Sequence, residues 1–288
     1  MNRRNVLIGL IGANIQKSLA PALHADALAD AGLDGYYHLM DVDLLPGRRL
    51  GQLLDAIKTA GFAGANVTFP FKQDVMPLLD AVDPECAQVG AVNTVTIAAG
   101  GRAIGYNTDR IGFRRSFEDS LGHGSAEGAT VVLVGSGGAG RAVAFALMDL
   151  GVATIVLYDR DDGRTKALMA DLSSLYGASS CRLAYDLERD VAAAHGVVNA
   201  TPVGMHGIPG NPVPVSGLKA THWAADVIYS PIETAFVRAA AAKGARVLTG
   251  GGMCVHQAVE SFRLFTGIAP NAARMLRTFA KALAARDK

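Results

Sequence analysis

The sequence predicts an α/β protein of two domains, an N-terminal one with a mostly parallel sheet and a second built on a doubly wound parallel sheet. Three observations carry this. Strand-length apolar runs alternate with helix-length segments over most of the 288 residues, the order that produces parallel sheets covered by helices. Half of the residues are hydrophobic, enough to fill two cores in a chain of this length. The apolar run Val131–Val134 enters a glycine-dense turn, Gly135-Ser-Gly137-Gly138-Ala139-Gly140, and leaves as a helix with apolar residues at 143, 144, 147 and 148. Strand, turn and helix in that order give the spacing Gly-x-Gly-x-x-Gly its meaning.

Taken in order, Asn5–Ile11 reads as a strand, and Pro21 suits the first turn of a helix that a small residue caps and that runs to Ala31. Tyr36–Val42 reads as a strand, Leu50–Ala60 as a helix and Gly64–Thr68 as a strand. Pro70 interrupts strand character, and a helix is expected to begin near Lys72. Ala91–Ile97, a Gly100-Gly101 turn and Ala103–Tyr106 read as a hairpin that delivers Asn107-Thr108-Asp109. A helix from Ile111 to about Leu121 leads to strand-like runs at 131–134, 154–158, 181–185, 196–199, 224–228 and 245–248, with helical segments such as 163–175 and 234–243 between them. Six strands in this alternation match a full Rossmann-type dinucleotide-binding domain. Beyond Gly250-Gly-Gly252, two helices over about 253–265 and 271–285 have no following strand and are expected to fold back onto the first domain. The expected division is therefore a substrate-binding and catalytic domain over 1–109, completed by helices 253–288, and a nucleotide-binding domain over 110–252.

Composition narrows the partners. The net charge is +1 with no long basic run, which speaks against nucleic acid or a membrane surface and for small molecules. Cys86, Cys181 and Cys254 show no CxxC spacing, as expected in a reducing cytoplasm. Arg3 and Arg4 precede an apolar run too short for a signal peptide, so a first buried strand is the expectation. No segment reaches membrane-spanning length. The seven histidines form no metal-ligand spacing, and no metal is expected; His24 and His256 read as structural residues on helices. A monomer or homodimer is expected.

The glycines divide the work of gripping a pyrophosphate. Gly135 permits the tight turn, Gly137 lets backbone N–H groups approach the phosphates, and Gly140 lets helix and strand pack closely, with the positive end of the helix dipole facing the anion. Nineteen residues past Gly140, the strand Thr154–Tyr158 ends at Asp159. A carboxylate there reaches ribose hydroxyls and repels a 2′-phosphate, which favours NAD over NADP. Arg160 beside it could receive a 2′-phosphate or stack on the adenine face. The loop Asn199-Ala-Thr201-Pro202 follows the fourth strand of this domain, at the sheet edge where a nicotinamide would lie.

Further blocks run through the chain: Gly9-Leu-Ile-Gly12, Ser18, Pro21-Ala-Leu-His24, Asn66-Val-Thr68-Phe-Pro70-Phe-Lys72, Gly90-Ala-Val-Asn93-Thr94, Gly105-Tyr-Asn107-Thr-Asp109, Val134-Gly-Ser-Gly-Gly138, Asn199-Ala-Thr-Pro202, Asp226-Val-Ile-Tyr229-Ser-Pro231, and Gln257 with Phe262. In this order they resemble the shikimate dehydrogenase family over nearly the whole length. The likeness is greatest to its NAD-using quinate/shikimate dehydrogenase branch, because Asp159-Arg160-Asp161 stands where NADP-using members carry Asn-Arg-Thr.

The resemblance implies an oxidoreductase that turns a ring hydroxyl of a cyclic polyol carboxylate, quinate or shikimate, into a ketone as hydride passes to NAD. Such a place belongs to quinate catabolism or the shikimate pathway to aromatic amino acids. Lys72 and Asp109 match the catalytic pair: the leaving hydroxyl proton needs a positioned base, with Lys72 as base in oxidation and proton donor in reverse, and Asp109 orienting it. Ser18, Asn66, Thr68, Asn93, Tyr229 and Gln257 match substrate-binding positions, and amides and hydroxyls suit a polyol because they donate and accept in fixed directions. Gly135, Gly137, Gly138, Ala139, Gly140, Asp159, Arg160, Thr201, Pro202, Val227, Gly250 and Met253 match cofactor-binding positions. One departure stands out: the family pattern has Ser or Thr two residues after Ser18, and this chain has Ala20. That opens a second expectation, the same chemistry on an amino-shikimate or another hydroxylated ring acid. A third, a non-catalytic dinucleotide sensor, is disfavoured by the presence of both Lys72 and Asp109.

Overall fold

The computed structural model describes residues 5–286; Arg3, Arg4 and the outermost ends of the expected first domain, 1–4 and 287–288, lie outside the described residues. The chain divides into two compact units, residues 1–108 with 255–288, and residues 109–254.

The first unit is built from β1 (Asn5–Gly12), α1 (Ala20–Asp30), β2 (Asp34–Asp41), α2 (Leu50–Thr59), β3 (Gly64–Val67), β4 (Ala81–Val82), α3 (Pro84–Val89), β5 (Thr94–Ile97) and β6 (Ala103–Tyr106). Its sheet has the order β2-β1-β3-β5-β6-β4. Strand β1 runs parallel to β2 and β3, and β4 parallel to β6, while the hairpin makes β3–β5 and β5–β6 antiparallel. The sheet is thus mixed. Helix α2 buries Leu50, Leu53, Leu54 and Ile57, a helical stripe, against Ile11, Ala65, Val67 and Val95.

Two local expectations are corrected and two elements are added. The residue before α1 is Leu19, not a small capping residue, and it makes no side-chain cap; Ser18 Oγ accepts the Ala20 N–H instead at 3.2 Å. No helix begins at Lys72. Its carbonyl accepts the Val92 N–H at 2.7 Å, and Met76 N–H turns to Gln73, leaving only a short tight turn over Met76–Leu78. The two-residue β4 and the six-residue α3 were not expected. The α3 signal was nonetheless in the sequence: Asp83 caps the Glu85 and Cys86 N–H groups, with Pro84 in the first turn.

The last helix, α10 (Ala272–Arg286), packs on α1. Arg274 bonds Asp26 at 2.7 Å and Asp30 at 2.6 Å, and Thr278 donates to Asp26 at 2.9 Å. The Arg274 hydrogen bond holds the Asp26 carboxyl below its usual range.

The second unit contains β7 (Thr130–Val134), α5 (Gly138–Asp149), β8 (Thr154–Tyr158), α6 (Asp162–Tyr176), β9 (Cys181–Leu183), α7 (Leu187–Ala193), β10 (Gly196–Asn199), β11 (Trp223–Asp226), α8 (Ala235–Ala242) and β12 (Arg246–Leu248). The chain passes between the units at the start of α4 (Thr108–Leu121) and within α9 (Gly250–Thr266). All the pairings in the order β12-β11-β10-β7-β8-β9 are parallel. The order reverses between β7 and β10, the switch point outside which open α/β sheets bind ligands. Among the described residues no helix is long and apolar enough to cross a membrane.

Candidate active site

In the second unit, the turn from β7 into α5 has the geometry its glycines imply. Gly135 sits at φ +109°, and a Cβ there would lie 2.8 Å from the Ala200 backbone. A Cβ on Gly140 would lie 1.9 Å from the Gly135 carbonyl oxygen, so the helix can approach the turn only without one. Around Gly137 there is open space. No side chain caps α5, so the N–H groups of Gly138, Ala139 and Gly140 open its positive end to an anion. Asp159 is pinned beside this turn: Oδ2 accepts the Ser136 N–H at 2.7 Å and Oδ1 the Asp161 N–H at 3.0 Å. Arg160 is exposed next to it. A cradle that a Cβ would fill, an uncapped helix start and a fixed carboxylate fit the pyrophosphate and ribose of a dinucleotide.

At the neighbouring strand ends lies a buried cluster around Asn199 and Asp226, two residues that stood in the family blocks without a role of their own. Register pairs Asn199 with Asp226 across β10 and β11, and Asn199 Nδ2 donates to Asp226 Oδ1 at 3.1 Å. Asn199 Oδ1 accepts the Thr201 N–H and hydroxyl at 3.0 and 2.7 Å. Asp226 also accepts from Thr234 Oγ1 at 2.6 Å and Ile228 N–H at 3.0 Å. Burial pushes its carboxyl above the usual range, against these hydrogen bonds. The cluster sets the path of Thr201 and exposed Pro202. Val227 N–H donates to the Asn199 carbonyl at 3.1 Å, and Gly250 N–H to that of Ile228 at 3.2 Å. Tyr229 is half-buried in the turn after β11, and Met253 is buried in the first turn of α9.

In the first unit, the polar candidates gather at the edge where β1 and β3 end. Asn66, on β3, and Asn93, just before β5, are buried. Asn66 Oδ1 accepts from the Tyr37 hydroxyl at 2.9 Å, and its Nδ2 donates to Thr94 Oγ1 at 3.0 Å and to the Asn93 carbonyl at 3.3 Å. Asn93 Oδ1 takes the Thr108 N–H at 2.8 Å, and its Nδ2 donates to Thr108 Oγ1 at 3.0 Å. Gln257, on α9, meets that hydroxyl through Oε1 at 3.5 Å. Tyr37, Thr94 and Thr108 are members of this cluster that sequence reasoning missed. Thr94 and Thr108 lay inside quoted blocks, whereas Tyr37 stood only in a strand-like run. The Tyr37 ring stacks on His24 at 4.4 Å, and burial lowers the His24 imidazole to about 3.

Ser18 and Thr68 follow the adjacent strands β1 and β3, and the two chains stay together past the strands through Ala13 N–H to the Phe69 carbonyl at 2.9 Å. Asp41 holds the start of the Ser18 loop. Its carboxylate accepts from Asn14 N–H at 3.2 Å, Ile15 N–H at 3.1 Å and Gln16 Nε2 at 3.0 Å. Burial would raise that carboxyl, yet these donors with Asp43 N–H outweigh it and keep it low. Lys72 is half-buried, its carbonyl tied to Val92, next to Asn93. Asp109 is buried in the first turn of α4, one residue beyond the Thr108 anchor to Asn93.

Fold and turn together define a dinucleotide-binding α/β protein whose other unit displays an amide and hydroxyl cluster. A family model described as the shikimate dehydrogenase substrate binding domain matches residues 10–95, and one described as the shikimate 5′-dehydrogenase C-terminal domain matches residues 250–278. The NAD(+) quinate/shikimate dehydrogenase of Corynebacterium efficiens is 46% identical over 283 residues, 97% of this chain and 99% of that protein. The structure of quinate dehydrogenase from Corynebacterium glutamicum in complex with NAD matches at 43% identity and a TM-score of 0.90, covering 97% of this chain and 100% of that one. The structure of shikimate 5-dehydrogenase from Thermus thermophilus with NADP(H) and shikimate matches at 36% identity and a TM-score of 0.84, covering 96% and 100%. The chain belongs to the shikimate dehydrogenase family.

Proposed function

We propose that this chain is an NAD-dependent dehydrogenase that reversibly oxidises a ring hydroxyl of quinate or shikimate to the ketone. Within a family whose members take either dinucleotide, the observation that carries the cofactor choice is Asp159, whose carboxylate two backbone N–H groups hold beside the glycine turn. There it accepts from ribose hydroxyls and repels a 2′-phosphate. Residues 109–254 hold the cofactor through Gly135, Gly137, Gly138, Ala139, Gly140, Asp159, Arg160, Thr201, Pro202, Val227, Gly250 and Met253; residues 1–108 with 255–288 hold most of the substrate. Bound at the turn, NAD supplies the hydride acceptor.

The remaining work falls to side chains of this chain. Lys72 Nζ takes the proton from the reacting hydroxyl and returns it in the reverse direction, and Asp109 orients that ammonium group. Ser18 donates to the ring carboxylate, Asn66, Thr68, Asn93 and Gln257 hydrogen-bond the ring hydroxyls or the carboxylate, and Tyr229 stands at the substrate site. The protein works in the cytoplasm as a monomer or homodimer. The test mixes protein with NAD or NADP and with quinate or shikimate, and follows the absorbance of reduced nicotinamide. Turnover is expected with NAD and a ring acid. No reduction in any of the four combinations refutes the reading.

Ala20 favours a second reading of substrate identity. With no hydroxyl at position 20, Ser18 faces the carboxylate with one hydroxyl fewer than the family pattern provides, a loss of ~1–3 kcal/mol. An amino-substituted or otherwise related ring acid would then be preferred. Including such acids in the panel, with Ala20→Thr alongside, decides the matter: a substrate ranking unchanged by Ala20→Thr removes this reading.

A further inference from the structure

A carboxamide can be oriented unambiguously when its neighbours act in one sense only. The Asn93 main-chain carbonyl can only accept, and it lies 3.3 Å from one end of the Asn66 amide. That end is therefore Nδ2, and Oδ1 faces the Tyr37 hydroxyl, which donates at 2.9 Å. The second Nδ2 hydrogen goes to Thr94 Oγ1 at 3.0 Å. Thr94, having accepted from Asn66, has one hydrogen left, and Asn93 Oδ1 at 3.0 Å is nearer to it than Thr108 Oγ1 at 3.3 Å. The Thr108 main-chain N–H, which can only donate, marks the same Asn93 atom as oxygen at 2.8 Å. Asn93 Nδ2 then donates to Thr108 Oγ1 at 3.0 Å. Every direction in the chain agrees, and two independent backbone groups anchor it.

The count of hydrogens and lone pairs has a chemical consequence. Asn66 has used both amide hydrogens and keeps an Oδ1 lone pair; Asn93 has its Oδ1 taken by Thr94 and Thr108 and keeps one Nδ2 hydrogen. With the two backbone groups orienting the amides, we infer that Thr94 is a positioning residue whose hydroxyl takes the second Asn66 hydrogen and fills Asn93 Oδ1, leaving Asn66 only an acceptor and Asn93 only a donor to offer, so that the pair recognises a hydroxyl of the substrate. A hydroxyl gives one hydrogen bond and takes another, whereas a ketone only accepts. We assign that hydroxyl to a carbon other than the reacting one, because a donor–acceptor pair keeps both of its bonds in both directions of the reaction only to a group that stays a hydroxyl. This rests on the proposed function for the contact of Asn66 and Asn93 with substrate. Thr94 itself is fully buried and acts through those two amides.

The test has two arms, using the full chain with Thr94→Val and Thr94→Ser. In the first, hydrogen exchange of the Asn side-chain amides is followed by NMR without substrate. Both Asn66 hydrogens are expected to be protected in the wild type and in Thr94→Ser, and one loses protection in Thr94→Val. In the second, KM and kcat are compared for a ring acid and for analogues lacking one non-reacting hydroxyl. One analogue is expected to raise the wild-type KM by about tenfold with little change in kcat, a penalty that shrinks to about twofold in Thr94→Val and returns in Thr94→Ser. Unprotected Asn66 hydrogens in the wild type, or a deoxy penalty that survives Thr94→Val, overturn the inference. Protected amides with no turnover of any ring acid refute the proposed activity, and with it the hydroxyl assignment, while leaving the orientation of the amides established by the first arm. Should Thr94→Val not fold, Thr94→Ala, which also lacks the hydroxyl, takes its place in both arms with the same expected and overturning results.

Discussion

Replacing His24 with leucine should remove a large part of this protein's sensitivity to mild acid. The imidazole has no exposed surface, stacks on Tyr37 at 4.4 Å and lies 6.1 and 6.3 Å from the rings of Phe262 and Phe265. Neither ring nitrogen has a hydrogen-bond partner. Burial lowers its pKa from 6.5 to about 3, so between those values the unfolded chain holds a proton that the folded chain refuses. The stability that comes with the neutral ring is complete above pH 6.5 and is lost as the pH falls through that window. At 1.36 kcal/mol per pH unit the ceiling is ~5 kcal/mol over the whole range and ~2 kcal/mol by pH 5, a sizeable share of a typical folding free energy. His24→Leu removes two unsatisfied nitrogens and keeps an apolar side chain, so at pH 7 its stability should lie within ~1.5 kcal/mol of the wild type. Urea unfolding followed by circular dichroism at pH 7 and pH 5, with hydrogen exchange of β1 and β2 as a local probe, measures both numbers. The carboxylates that also titrate are common to the two proteins and cancel. Wild type should lose ~2 kcal/mol more than the variant between pH 7 and 5; equal losses would refute the argument that desolvation of this ring governs its protonation.

Other expectations concern the proposed site. Lys72→Met should lower kcat by about 100-fold or more while NAD binding, followed by fluorescence titration, stays near wild type; near-normal turnover would dismiss the base. Asp159→Asn removes the charge, and the NAD/NADP ratio of kcat/KM should fall about tenfold; an unchanged ratio would show that the carboxylate does not set the choice. Gly140→Ala places a Cβ 1.9 Å from the Gly135 carbonyl oxygen. The turn must move, at a cost of ~1–3 kcal/mol in stability, and NAD affinity should drop in calorimetry; tight NAD binding by a well-folded variant would contradict the assigned packing.

Much of this protein was legible in the order of its residues. Six strands of the second unit came from apolar runs, two with their bounds matched and four within one or two residues at each end, and the turn at Gly135–Gly140 with Asp159 beyond it came from spacing, because both signals are local. The family blocks pointed to the polar candidates one at a time. What spacing could not disclose were directions and partners. Whether Lys72 starts a helix depended on its carbonyl meeting Val92 rather than Met76. The pairing of Asn199 with Asp226 required two strands to lie side by side in register. That Asn66 offers an oxygen and Asn93 a hydrogen was decided by the Asn93 carbonyl and the Thr108 N–H, with the hydroxyls of Tyr37 and Thr94 brought in from β2 and β5. Periodicity and turn chemistry belong to short stretches of chain and can be read there. The sense of a buried hydrogen bond belongs to whichever groups surround it, and only the folded chain assembles those surroundings.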